Sequence, residues 1–142
     1  MTEIIINSKE EMINFAKEIA KTAKIGDVFC LEGTLGAGKT FFAKNFINFL
    51  QEEKNEILSP TFNLLHNYNS KKGEIFHFDL YRLKSADELE NIGLFDAFRN
   101  GISLIEWGEI AEKFLPKNSK IINIKILGQE KRKIIISNKF SN

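Results

Sequence analysis

Apolar residues recur at helical spacing over residues 12–23, where Met12, Phe15, Ala16, Ile19, Ala20 and Ala23 share one predicted face. Ser8 and Glu11 stand just before them with the spacing of a capping box, which satisfies free backbone donors at a helix start. Gly26-Asp27 punctuates the far end, and residues 3–6 ahead of the helix read as a short strand. Val28, Phe29, Cys30 and Leu31 then form an unbroken apolar run, the pattern of a strand covered on both faces. A glycine-rich turn over residues 33–39 follows. Residues 40–50 return to helical spacing with Phe42, Phe46, Phe49 and Leu50 inward.

The second half is mostly extended. Residues 62–68 and 74–79 are two runs separated by Asn69-Ser-Lys-Lys-Gly73, a hairpin-turn composition. Ser85 and Glu88 repeat the capping-box spacing and predict a short helix through Leu89 and Ile92. Residues 102–105 form another apolar strand, ending at Glu106-Trp107. Residues 120–127 and 133–136 are β-branched runs joined through residues 128–131, a terminal hairpin.

Composition narrows the class. A chain of 142 residues suits one domain, residues 1–142, and 43% hydrophobic with 27% charged residues argues against disorder. No apolar run approaches the roughly 18 residues of a membrane span, so no membrane role is expected. The start lacks the parts of a signal peptide, and the lone Cys30 cannot form an internal disulfide. A cytoplasmic setting follows as the expectation. The net charge of +1 does not announce a nucleic-acid binder. Its distribution is uneven: residues 1–112 carry 12 basic and 18 acidic side chains, whereas residues 113–142 carry 8 and 1. Two readings of that basic segment stand, a charge-steered surface facing tRNA or a partner, and lysines guarding a solvated hairpin edge. The edge reading is the simpler.

Chemistry enters at Gly33-Thr34-Leu35-Gly36-Ala37-Gly38-Lys39-Thr40, which fits G-x-x-x-x-G-K-[ST] at every fixed position. A buried strand precedes it and a helix follows, as the motif requires. Glycines let the backbone wrap an anion, its N–H groups turn inward, and the helix presents its positive end. Lys39 would reach the β- and γ-phosphates of ATP, and the Thr40 hydroxyl would ligate Mg²⁺. The expected fold is therefore α/β, a sandwich like that of P-loop NTPases. Its central sheet is mixed and mostly parallel, with flanking helices and a C-terminal β-hairpin.

Such a site needs a carboxylate at the end of a neighbouring strand, to hold the metal or orient water. Glu106 ends the more buried run and is the better metal-side candidate; Asp79 suits a second-sphere or water-orienting role. Alternation sets His77, Asp79 and Tyr81 on one strand face and Phe76, Phe78 and Leu80 on the other. His66, His77 and Cys30 lack structural-zinc spacing, which leaves His77 a hydrogen-bonded structural residue and Cys30 inert packing.

Four segments in this order, GTLGAGKT (33–40), SPTF (59–62), HFDLYR (77–82) and LIEW (104–107), resemble the TsaE family, also called YjeE, over essentially the whole chain. That resemblance implies a cytoplasmic P-loop ATPase acting with the TsaB and TsaD proteins. They install threonylcarbamoyl on adenosine 37, next to the anticodon, of tRNAs that read codons beginning with A. The transfer itself belongs to TsaD, and tRNA is met through the complex. It implies Thr61 as a switch threonine sensing γ-phosphate or metal, Asp79 as the catalytic or water-positioning acid and Glu106 as the metal-linked acid. It also implies Trp107 as an aromatic beside the nucleotide. Two positions depart from the family pattern: Thr34 stands where an acid is frequent, and Trp107-Gly-Glu109 replaces Trp-Pro-Glu.

Two rival classes remain beside an ATPase. A small-molecule kinase usually needs several arginines to clamp two phosphoryl groups, and only Arg82, Arg99 and Arg132 are present. A pure nucleotide-gated switch would bind ATP with negligible hydrolysis. A small GTPase is excluded, because no aspartate begins D-x-x-G and Asn138-Lys-Phe-Ser141 lacks the guanine-reading acid.

Overall fold

The computed structural model describes residues 1–52 and 64–139. Its elements are β1 (Thr2–Ile6), α1 (Lys9–Thr22), β2 (Val28–Glu32), α2 (Lys39–Leu50), β3 (Leu65–Ser70), β4 (Gly73–Asp79), α3 (Leu94–Asn100), β5 (Gly101–Glu106), β6 (Lys120–Ile126) and β7 (Arg132–Asn138). Single 3₁₀ segments cover Ala86–Glu88 and Gly108–Phe114. The strands form one sheet in the order β1-β7-β6-β2-β5-β4-β3. The four central strands β6, β2, β5 and β4 are mutually parallel, and antiparallel partners finish both sides. The expected α/β class and mixed sheet with a parallel centre are what the chain adopts.

Helices α1 and α2 cover one face of the sheet, where Phe29 and Leu31 of β2 meet Phe42, Phe46 and Ile47. Phe15 and Phe42 bring the two helices together, with ring centroids 5.6 Å apart. The other face receives Val28 and Cys30 of β2, covered by α3 and the 3₁₀ segments through Leu89, Leu94 and Ala111. Strand β2 therefore buries alternate residues in two different cores, which is why its sequence shows no polar alternation. β5 is buried along its whole length for the same reason.

Local signals act with small slips. Ser8 accepts the Glu11 N–H (3.1 Å), while the Glu11 carboxylate reaches back to the N–H of Asn7, one residue before the cap. Ser85 likewise takes the Asp87 N–H, and Glu88 closes on Lys84. The helix expected through Leu89 and Ile92 is only a 3₁₀ turn. A true helix, α3, starts later, at Leu94, after Gly93 takes a left-handed conformation (φ 80°). The first hairpin is tighter than its turn composition suggested: Ser70 pairs with Gly73 across two residues, and Gly73 supplies the positive φ. Strand β3 begins at Leu65; residues 62 and 63 lie outside the described residues.

One expectation is overturned. The terminal hairpin is not a sheet edge, because β1 pairs antiparallel with β7 along five residues and takes the outer place. Lys133, the one lysine on β7, guards no edge.

Candidate nucleotide site

Parallel strands send their C-terminal ends to one side of the sheet, where open α/β folds carry ligands. Here β2 ends at the glycine loop, β5 at Glu106 and β4 at Asp79, and register sets Leu31 beside Glu106 and Glu106 beside Asp79. Three carbonyl-rich strand ends thus converge on the first turn of α2.

The loop is shaped by glycine where shape demands it. Gly33 (φ 147°) lies so close to β6 that a Cβ there would stand 2.6 Å from the Ile124 carbonyl oxygen. Gly38 caps α2 in a left-handed conformation (φ 116°, ψ 17°), which a side chain would strain. Beyond it, the first N–H groups of α2 have no intrahelical partner and face the loop. Arg132, at the start of β7, donates from Nε to the Ala37 carbonyl at 2.8 Å.

Lys39 is folded onto its own loop. Its Nζ donates to the Gly33 carbonyl at 2.6 Å and sits 3.3 Å from the centroid of the Trp107 ring. Burial lowers its pKa from the ordinary 10.5, and the nearby Glu106, Glu109 and Asp79 carboxylates oppose that shift. Trp107 reaches this position through a left-handed backbone (φ 57°), rare for a bulky residue, which turns the indole back over the loop. Tyr81 packs against the indole at 4.9 Å.

Thr40 donates its hydroxyl to Glu106 Oε1 at 2.7 Å, and the other oxygen, Oε2, lies 2.6 Å from His77 Nε2. The chain Thr40–Glu106–His77 runs from the loop into the core, with Glu106 3% and His77 0% exposed. Asp79 stands beside it, 7% exposed, its Oδ1 accepting the Tyr81 N–H. Leu35, Gly36, Gly38, Lys39, Thr40, Asp79, Glu106 and Trp107 line an open cleft of about 380 Å³. A second cavity of about 190 Å³ lies on the other flank of the loop, between Met12, Phe41 and Arg132.

Of the residues singled out from sequence, the loop, Asp79, Glu106 and Trp107 thus come together around one cleft. Thr61 and the SPTF segment lie outside the described residues. Thr34 accepts the Ala37 N–H within the loop. Cys30 is buried, its thiol pushed up to about 12 by burial and then by Glu32, Glu109 and Glu112. The reading of His77 as a hydrogen-bonded structural residue holds, its partner being Glu106; Arg132, to which the sequence assigns no role at the loop, is the residue that sequence reasoning misses. A lone arginine at a strand start, among lysines, was the only signal available.

The donor set is chemically consistent with phosphate and Mg²⁺. Hydroxyl and carboxylate oxygens suit a hard cation, and an ammonium with main-chain N–H groups suits an anion. Among the described residues, no cluster of three or more His, Cys, Asp or Glu is placed to hold a metal alone.

Fold and site define an α/β protein of the phosphate-loop class, with the loop, its lysine and threonine, and a strand-end acid in contact. The chain matches the family of the threonylcarbamoyl adenosine biosynthesis protein TsaE over residues 6–134, and it belongs to that family. It is 43% identical over 139 residues to the tRNA threonylcarbamoyladenosine biosynthesis protein TsaE of Rickettsia bellii, covering 98% of this chain and 96% of that one. The protein of the same name from Aquifex aeolicus is 39% identical over 140 residues, covering 98% of each. The crystal structure of YdiB from Bacillus subtilis superposes with a TM-score of 0.79 at 33% identity, covering 96% of this chain and 84% of that one. Among the described residues, no helix is long and apolar enough to cross a membrane.

Proposed function

We propose that this chain binds ATP with Mg²⁺ and hydrolyses it in the cytoplasm, in support of threonylcarbamoylation of adenosine 37 in tRNAs reading codons that begin with A. TsaB and TsaD are its partners, and TsaD carries the transfer. The observation that carries this reading is the contact of Thr40 with Glu106 beside Lys39, at the mouth of a glycine loop.

The β- and γ-phosphates displace Lys39 from the Gly33 carbonyl, so a short internal bond is exchanged for a charge-assisted bond to phosphate. Thr40 and Glu106 would hold the Mg²⁺, which would neutralise charge on the phosphate oxygens. Asp79 orients a water in line with the γ-phosphorus and takes its proton as the bond to the β–γ bridging oxygen breaks. Products are ADP and inorganic phosphate. Thr61, from the SPTF segment, is assigned the role of sensing the γ-phosphate. Catalysis here is positioning and electrostatics.

Hydrolysis is favoured over transfer to a small acceptor because no arginine lines the cleft among the described residues. Arg99 is paired with Asp96 on α3, and Arg132 is engaged with backbone carbonyls.

Calorimetry with ADP and ATP in the presence of Mg²⁺ tests the binding. Lys39→Ala is expected to weaken it at least about 100-fold, the loss of a charged bond worth roughly 3 kcal/mol. Asp79→Asn is expected to keep the affinity within about threefold while lowering turnover at least about 100-fold, measured with TsaB and TsaD present. Wild-type protein giving no heat with adenine nucleotides, alone or with TsaB and TsaD, would end this reading.

A further inference from the structure

We propose that Arg132 is a positioning residue for phosphate binding, a brace from the C-terminal hairpin that sets the direction of the loop's amides. The proposal rests on the nucleotide reading above and extends it to a residue remote from the loop in sequence.

The guanidinium bridges two elements. Nε donates to the Ala37 carbonyl (2.8 Å), while Nη1 reaches the carbonyls of Gly128 (2.9 Å), Lys131 (3.0 Å) and Gln129 (3.3 Å) in the β6–β7 turn. A planar fork can do this; a lysine ammonium is a single point and cannot span both groups. The consequence follows from peptide geometry. In a trans peptide the C=O and the next N–H point in opposite directions. Holding the Ala37 oxygen toward Arg132 therefore turns the Gly38 N–H the other way, toward the cleft that Gly38 lines. Without the brace, Gly38 has the freedom to rotate that peptide, since glycine tolerates many backbone conformations.

The hairpin supports the loop at its other end as well. Gly33 lies against the Ile124 backbone of β6, an approach that leaves no room for a side chain. The loop is thus held at both ends by one hairpin. The same turn grips the first helix, since Glu130 accepts the Lys9 N–H at 3.2 Å. These contacts make Arg132 different in kind from its neighbours Lys131 and Lys133, which among the described residues donate no hydrogen bond to the loop.

Two variants separate bracing from simple attraction between Arg132 and phosphate. Arg132→Lys keeps the charge and removes the fork; Arg132→Ala removes both. Calorimetry with ADP and Mg²⁺ is expected to show at least about tenfold weaker binding for each, about 1.4 kcal/mol by the affinity relation, with Lys133→Ala within twofold of wild type. Amide hydrogen exchange at Gly38 is expected to rise in Arg132→Lys, with protection in β2 and β5 unchanged. Wild-type affinity in Arg132→Lys, or unchanged Gly38 exchange, would overturn the proposal. If Arg132→Ala does not fold, Arg132→Lys carries the test alone. If wild-type protein takes up no ADP, the nucleotide reading fails, and Gly38 exchange still decides whether Arg132 orders the loop.

Discussion

A buried histidine whose ring is bonded to a carboxylate has a narrow range of uses. His77 lies 2.6 Å from Glu106 Oε2, and its Nδ1 has no hydrogen-bond partner among the described residues. An ionised carboxylate only accepts, so the tautomer with its proton on Nε2 satisfies this contact, and the imidazole then fixes one oxygen of Glu106 while Thr40 engages the other. Removing the ring would leave a buried carboxylate oxygen without a donor. His77→Ala is expected to lower stability by about 2–3 kcal/mol, read from urea unfolding, and His77→Gln to restore part of it. Equal stability in all three proteins would show that Glu106 has no need of the histidine. Sequence alternation correctly set His77 and Asp79 on one face, because strand period is local. Nothing local could say that β5 would lie alongside, with Glu106 in register with Asp79 and its carboxylate in reach of His77, since the His77–Glu106 contact spans 29 residues.

At the scale of elements, the strand–loop–helix unit was legible because each part carries its own signal. β2 is continuously apolar, the loop is glycine-rich, and α2 resumes helical spacing. The loop's packing was not legible, since the reason for Gly33 lies on β6, some ninety residues away. Gly33→Ala is expected to cost about 2–3 kcal/mol, because both the positive φ and the Ile124 carbonyl at 2.6 Å oppose a side chain. Thermal melting measures the cost; a melting temperature within about 1 °C of wild type would show that the loop moves freely off β6. The capping boxes teach a similar lesson. Their serines act as expected, yet at Ser85 the cap yields only a 3₁₀ turn, since a left-handed Gly93 soon interrupts the chain. Capping chemistry marks where a helix can begin and leaves its length to what it packs against.

For the whole molecule, the outer strand is the element with the widest consequence. β1 covers β7 through residues 2–6, so the chain's first strand seals the hairpin that braces the loop. Deleting residues 1–6 is expected to expose the β7 ladder, and exposed ladders invite pairing with another copy. Sedimentation or size-exclusion measurements over a range of concentrations should show self-association of the shortened chain and none of the intact one. A monomeric, equally stable shortened chain would show that β1 seals nothing. The basic charge of residues 113–142 also changes meaning at this scale. Lys120 and Lys125 are exposed on β6, an inner strand of the sheet, Lys139 reaches the Leu115 carbonyl, and Arg132 turns inward to the loop. The sequence-level surplus is thus distributed over several environments and forms no single edge.

Covalently adjacent information was sufficient for a good deal here: strand and helix periods, the phosphate-loop motif, the α/β class, and two acids at strand ends. Each of these depends on residues within one turn or one run of the chain, where sterics and hydrogen bonding act over a few bonds. What depended on folding were the pairings between distant segments: Thr40 with Glu106, Glu106 with His77, Lys39 under Trp107, Arg132 on Ala37, and β1 outside β7. Such contacts are set by strand order and register, which burial of two opposed cores selects cooperatively, and no stretch of chain holds that choice within itself.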